Sequence, residues 1–378
     1  MALGWGPGIR PGPHRYRGEE ERVTTVSLLL LGDVMLSRRV TLRDERIRSE
    51  VGRADALFAN LEVPLTDRGH PADKAIAFRS PPNLARELAE LGIDVVTVAN
   101  NHALDYGIEG LRQTRRVLEE AGVACVGAGE NISEAFEATT LEVAGRQVAF
   151  VGMACTLPTG YAASEVRPGL APVRVMSEFL IDPVTIDEQP GMAPYVRTSA
   201  LEGDVDRACA AVHRAAGSAD IVVVGIHWGV PNGWVAEFQD EIAEYQRPLG
   251  RALVDAGADL VVGHHPHCLH AIETAGGACT LYSTGNFLFH TMSVDNGLEL
   301  SRPYPPYRLD SLSGRRSRES AMFRAEISGG GISALKILPV LLDDDGEPQS
   351  LAGDEALVVL EDLAKRSGAL DTTLQVDG

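Results

Sequence analysis

From Val23 onward, short aliphatic runs alternate with longer amphipathic segments, and no other property of this sequence restricts its fold so strongly. The runs are VSLLLLG (26–32), ALFANL (56–61), DVVTVAN (94–100), RQVAFVGM (146–153), DIVVVGIHW (220–228), DLVVGHH (259–265) and CTLYSTGN (279–286). Their length and branched composition predict strands. Between them, PNLARELAELG, IEGLRQTRRVLEEAG, VDRACAAVHRAAG and FQDEIAEYQRPLGRALVDAG carry apolar residues at helical spacing, and several stop at Gly. Strand and helix in alternation predict an α/β fold of stacked layers. Near the end, AMFRAEIS and ISALKILPVLL flank a GGG turn and predict an antiparallel hairpin.

The chain has 378 residues, 44% hydrophobic and 23% charged, ordinary values for a chain with a sizeable core. The first 22 residues are rich in Gly, Pro, Arg and Glu without an apolar core segment, so 1–22 is expected to be a flexible tail and not a signal peptide. Residues 23–345 are expected to form one domain, with 346–378 a C-terminal helix and tail. Residues 291–319 lack periodicity and are expected to form a lid loop over a site. No apolar stretch is long enough to span a bilayer, and the five scattered cysteines lack a C-x-x-C pair. Reduced thiols, no membrane contact and a cytoplasmic location are the resulting expectations. A formal net charge of -19 opposes nucleic acid as a partner and leaves a peptide or small-molecule substrate.

Open α/β sheets place ligands at the carboxyl ends of their strands. There this sequence has Asp33 after LLLLG, Asn60 and Glu62 after ALFA, Asn100, Asn101, His102 and Asp105 after VTVA, His227 after VVVGI, and GHHPH at 263–267. Each group alone has a structural explanation: a turn, a helix cap, a hydrogen-bonded polar residue. Residues two apart on an extended segment share a face, so His265 and His267 are expected to converge while His264 faces elsewhere. Carboxylates, amides and imidazoles without a thiolate suit a divalent Mn, Zn, Fe or Mg.

GDVMLSR, NLEVPLT, ANNHALDYG, HWG, GHHPH and YSTGNFLF, in that order, resemble the CapA family of bacterial capsule-synthesis proteins, a branch of the calcineurin-like metallophosphoesterase superfamily. The resemblance runs from Val26 to about Leu341. It implies a four-layer α/β/β/α sandwich of metallophosphoesterase type holding one or two ions. Carried over by motif, the implied ligands are Asp33, Glu62, Asn101, His227, His265 and His267. His102 takes the acid–base position, and Asp105 orients it. This chain departs twice from the pattern. Met35 stands where the superfamily has a histidine ligand, and His290 stands where the family commonly has an acid.

His290 would add a second acid–base group beside His102. Two bases would let a metal-held peptide be epimerised at Cα, the reaction of the soluble, MslH-type lasso-peptide epimerases that this chain also resembles. Peptide epimerisation in ribosomal peptide maturation is the leading expectation, ahead of phosphoester hydrolysis and of a role in poly-γ-glutamate capsule synthesis. Arg302, Tyr304, Tyr307 and Arg308 in the lid are the expected substrate contacts.

Overall fold

The protein is described as a computed structural model covering residues 25–74, 76–192, 194–229, 242–290, 314–329 and 331–375. The expected tail and nearly all of the expected lid, with Arg302, Tyr304, Tyr307 and Arg308, lie outside the described residues.

The aliphatic run at the start becomes the strand Val26–Met35, buried along its whole length. A strand without polar alternation must be covered on both faces. Here it is also paired on both edges, parallel to Ala56–Leu61 and antiparallel to Glu319–Ser328. Around it an eight-stranded sheet runs in the order Pro348–Ser350, Gly331–Leu342, Glu319–Ser328, Val26–Met35, Ala56–Leu61, Val95–Thr97, Ala124–Val126, with Asn286–Phe289 paired to the far end of Val26–Met35. The second sheet has six strands: Ile272–Ala275, Ala278–Leu281, Leu260–His264, Ile221–His227, Arg146–Ala154 and Thr139–Val143.

Alternation along the strands sorts the apolar residues into three cores, and the cores define the layers. Leu28, Leu30, Phe58 and Val95 face Phe150, Val223 and Val262 between the sheets. Leu29, Leu31, Leu57 and Val96 point the other way, onto Leu88, Leu111 and Leu118 of the helices Ala85–Glu90 and Gly107–Glu120. Val151, Val222, Val224 and Val261 cover Val212 and Leu253 of Glu202–Ser218 and Gln246–Asp255. The result is the expected α/β/β/α sandwich. Leu360 and Leu363 of the C-terminal helix Gly353–Gly368 pack into the inter-sheet core. Phe58 and Phe150 stack across that core at 5.6 Å, and burying each side chain contributes about 1.5–3 kcal/mol.

Two features bring the sheets together at one end. Gly152 and Gly225 are register partners, and a Cβ on Gly225 would lie 2.5 Å from Cζ of Phe58. Val26–Met35 also carries a register shift between Leu30 and Asp33. Leu30 pairs with Phe58, but Asp33, three residues on, pairs with Asn60, only two further. The extra residue resets the alternation and turns Asp33 to the inter-sheet face of Phe58 and Asn60. Gly32 occupies the bulge, where a Cβ would lie 2.2 Å from the Gly285 carbonyl oxygen.

One expected strand divides. CTLYSTGN supplies Ala278–Leu281 of the second sheet and begins Asn286–Phe289 of the first, and the chain crosses between the sheets over 282–285. Gly285, at φ 71°, makes the turn. The two-stranded hairpin of Val175–Leu180 and Tyr195–Ala200 had no counterpart among the expected elements.

Candidate metal centre

The central strands of both sheets run parallel, so their carboxyl ends open on one edge. Asp33, Asn60, Glu62 and Asn100 from the first sheet meet His227, His264, His265 and His267 from the second. All are buried. Asp33, Glu62 and His227 form one group whose ligand atoms lie within 4.8 Å of one another, and Glu62, His265 and His267 form another.

Asp33 is the hub. Its carboxylate lies 3.3 Å from Nδ1 of His264 and 3.2 Å from Nδ1 of His267, and accepts from the His265 backbone N–H at 3.3 Å. His227 Nε2 lies 2.7 Å from Asn101 Oδ1 and 3.0 Å from His265 Nδ1. Nδ1 of His267 is also 2.9 Å from Asn286 Oδ1.

The expectation that His264 faces elsewhere is corrected: it shares Asp33 with His267. His264 continues the inter-sheet face of Leu260 and Val262, and His265, which alternation alone would turn away, joins it where His265 and His267 both have positive φ, 98° and 54°. Only four non-glycine residues among those described do so, and side chains with a Cβ resist that conformation. Two such residues around Pro266 mark a backbone held by its surroundings, a pattern that concentrates at functional sites.

Electrostatics sharpen the picture. Burial pulls the Asp33 carboxyl upward, but hydrogen bonds and charge from His264 and His267 outweigh it and hold the group well below its ordinary range. Burial and then the charge of Asp33 push Glu62 well above its own. Burial followed by His265 drives His227 far down, and burial followed by His267 takes His265 to about 3. These two imidazoles are therefore neutral at physiological pH and present lone pairs, as cation binding requires.

The donor set fits a divalent cation on two observations. Glu62 Oε1 and His265 Nε2 are buried without a hydrogen-bond partner, a costly state that coordination would relieve. The donors are carboxylate, imidazole and amide, the mixture suited to a borderline-hard ion. None of the five cysteines is in a disulfide among the described residues, and none belongs to either group.

Beside the cluster, His102 Nδ1 lies 2.7 Å from Asp105 Oδ2. A carboxylate can only accept, so Nδ1 carries the proton and Nε2 the lone pair. Asp105 also accepts from Lys74 Nζ at 2.6 Å, the Phe78 N–H at 2.7 Å and the Tyr161 hydroxyl at 3.3 Å. Burial lowers the His102 pKa against the opposing pull of Asp105, leaving a neutral base. Lys74 and Tyr161 were not expected, since neither lies near a strand end and only the tertiary fold brings them to Asp105.

His290 sits differently. Its Nδ1 accepts from the Ser37 N–H at 3.0 Å and its backbone N–H donates to Met35 at 2.9 Å. Burial, then the charge of Arg38, pushes its pKa down to about 4. Its described contacts are with Ser37 and Met35, not with Asp33, Glu62 or the clustered histidines.

A family model described as bacterial capsule synthesis protein PGA_cap matches residues 27–291. The chain belongs to that family. The PGA_cap match spans every strand end described above from Asp33 to Asn286. Among similar proteins, the capsule biosynthesis protein CapA of Bacillus anthracis is 27% identical over 354 residues, covering 90% of this chain and 72% of that protein. The PGA biosynthesis protein CapA of Bacillus subtilis (strain 168) is 28% identical over 332 residues, covering 83% and 71%. A crystal structure of a hypothetical protein from Thermus thermophilus aligns with 83% of this chain and 98% of its own, at a TM-score of 0.43 and 18% identity, too distant to inform function. Among the described residues of this PGA_cap member, no helix is long and apolar enough to cross a membrane.

Proposed function

We propose that this chain is a metal-dependent enzyme acting on a polyglutamate or closely related amide-linked substrate, with His102 as its acid–base group. One observation carries the reading. A buried carboxylate–histidine cluster with unsatisfied lone pairs lies beside a neutral histidine whose side chain, 11% exposed, keeps contact with solvent. The substrate class is supported by the two relatives named for capsule and PGA biosynthesis.

The residues that would hold the ion are Asp33, Glu62, Asn101, His227, His265 and His267. A bound divalent cation supplies Lewis acidity toward a substrate carbonyl, together with positive charge that lets a chain of net charge -19 admit an anionic substrate. Asp105 fixes the His102 tautomer, so Nε2 is the atom that takes a proton and returns it. Lys74 balances the Asp105 charge, which keeps the dyad from drawing a second proton into the site. Phe78 packs on the His102 ring at 5.0 Å and shields one face from water.

Cα epimerisation needs acid–base groups on opposite faces of the substrate. Among the described contacts His102 lies beside the cluster, whereas those of His290 are with Ser37 and Met35, so this reaction ranks behind chemistry at the amide. The test is to incubate the Mn2+-loaded full chain with poly-γ-glutamate of defined length in D2O and follow it by mass spectrometry. A changed chain-length distribution, lost in His102→Ala, is expected. Unchanged length with deuterium at Cα would replace the reading with epimerisation. Phosphate release from a model ester, with polyglutamate untouched, would replace it with phosphoester hydrolysis.

A further inference from the structure

Asn60 is fully buried and stands between the two carboxylates of the centre. Its Nδ2 donates to Asp33 Oδ1 at 2.8 Å and makes a short bond to Glu62 Oε2. Its Oδ1 accepts from Asn100 Nδ2 at 3.0 Å. The amide orientation of Asn100 is fixed in turn, because Oδ1 accepts from the His102 backbone N–H at 3.0 Å and Nδ2 donates to the Leu61 carbonyl at 2.7 Å. Both ends of the relay therefore dictate one polarity. Reversing Asn60 would place its oxygen against two carboxylates and its NH2 against another NH2.

We infer that Asn60 is the positioning residue of the metal centre, holding Asp33 and Glu62 at ligand spacing, with Asn100 locking the polarity of its amide. This rests on the metal-dependent reading above. Two carboxylates in one buried pocket repel, and with no cation between them they would spread or rotate. One NH2 group donating to both offsets that repulsion and fixes the orientation of each carboxylate. Oδ1 of Asp33 and Oε2 of Glu62 are engaged by the amide, whereas Glu62 Oε1 is left buried and without a partner, directed to the cluster with His227 at 3.5 Å. The relay also starts at the His102 backbone. The acid–base residue and the metal carboxylates are thus parts of one hydrogen-bonded unit and not neighbours by packing alone.

The experiment is calorimetric titration of Mn2+ into the chelator-treated full chain, unsubstituted and as Asn60→Ala and Asn100→Ala, with circular dichroism to establish that each is folded. Groups that orient metal ligands typically govern about 10- to 100-fold in affinity, and a loss of that size is expected for Asn60→Ala, with a smaller loss for Asn100→Ala. Low-temperature electron paramagnetic resonance of bound Mn2+ is expected to broaden in Asn60→Ala as the ligand geometry loosens, a change that general destabilisation would not produce. If Asn60→Ala does not fold, Asn100→Ala decides alone: weaker binding supports the inference and unchanged binding overturns it. A folded Asn60→Ala chain that binds Mn2+ as tightly as the unsubstituted one overturns it while the metal reading stands. An unsubstituted chain that takes up no Mn2+ overturns both.

Discussion

Replacing Asp105 with Ala and Lys74 with Met, singly and together, probes the network that supports His102. The Asp105 side chain is 0% exposed, and it accepts from Lys74, Phe78, His102 and Tyr161. Removing it takes the carboxylate away from a cation, which keeps its bond to the Asn101 carbonyl at 2.6 Å, and deprives three neutral donors of their acceptor. Breaking a buried ion pair costs about 3–5 kcal/mol, and the lower end applies here because the Lys74 side chain keeps 20% exposure and water can reach its ammonium. Lys74→Met leaves the carboxylate inside with its neutral donors, a milder loss of about 1.5–3 kcal/mol, typical of a hydrogen bond to a charged group. In the double variant no charge remains buried, so its cost is expected to fall short of the sum of the single costs by about 1–3 kcal/mol. Urea unfolding of the full chains at neutral pH, followed by fluorescence and circular dichroism, measures all three. Additive costs would refute the reasoning, since two residues that share one buried charge balance cannot act independently.

Three further outcomes are expected. Chelation should lower the thermal unfolding midpoint and added Mn2+ restore it, since a ligand at about 100 times its Kd stabilises the native state by about 2.7 kcal/mol; scanning calorimetry with and without EDTA checks this. Gly32→Ala should cost about 3 kcal/mol or more, because its Cβ would meet a backbone oxygen that cannot rotate away, and the same calorimetry should show either a large drop in midpoint or no folded chain. At the N-cap of Glu45–Val51, burial raises the Asp44 carboxyl, but the Ile47 and Ser350 N–H groups, the Ser350 hydroxyl and the Arg46 N–H prevail and lower its pKa. A lowered folded pKa contributes stability above the unfolded value of about 3.9, lost as pH falls through the folded one. Asp44→Ala should therefore cost about 0.5–2 kcal/mol at neutral pH, a gap that closes in acid denaturation series.

The buried strands and the polar side chains gathered at their ends were legible because aliphatic runs without polar alternation must be doubly covered, and polar residues at their ends have one place to go. What escaped the sequence was parity. Nothing in LLLLGD announces the extra residue that turns Asp33 inward, and nothing in GHHPH announces the positive φ angles that bring His265 and His267 into the cluster beside His264. CTLYSTGN read as one strand because its pattern does not show where a chain leaves one sheet for another. Lys74 and Tyr161 carried no local signal, as their role exists only in the assembled loops around Asp105. The Ser37 contact of His290 depends on the irregular pairing of Asn286–Phe289 with Val26–Met35, which spacing cannot supply.

The spread of the centre along the chain bears on how the protein is made. Its groups run from Asp33 to His267, split between two sheets that each close over long loops. Contacts of such sequence separation form slowly, because the intervening chain must be closed before they are gained. A growing polypeptide would present Asp33, Glu62 and Asn101 well before the imidazoles that complete the set are synthesised. Until then the acidic half would have only Asn60 to restrain it. The proposed ligand set is therefore complete only when both sheets have met, so a cation bound by all of it would report that the two sheets have found each other.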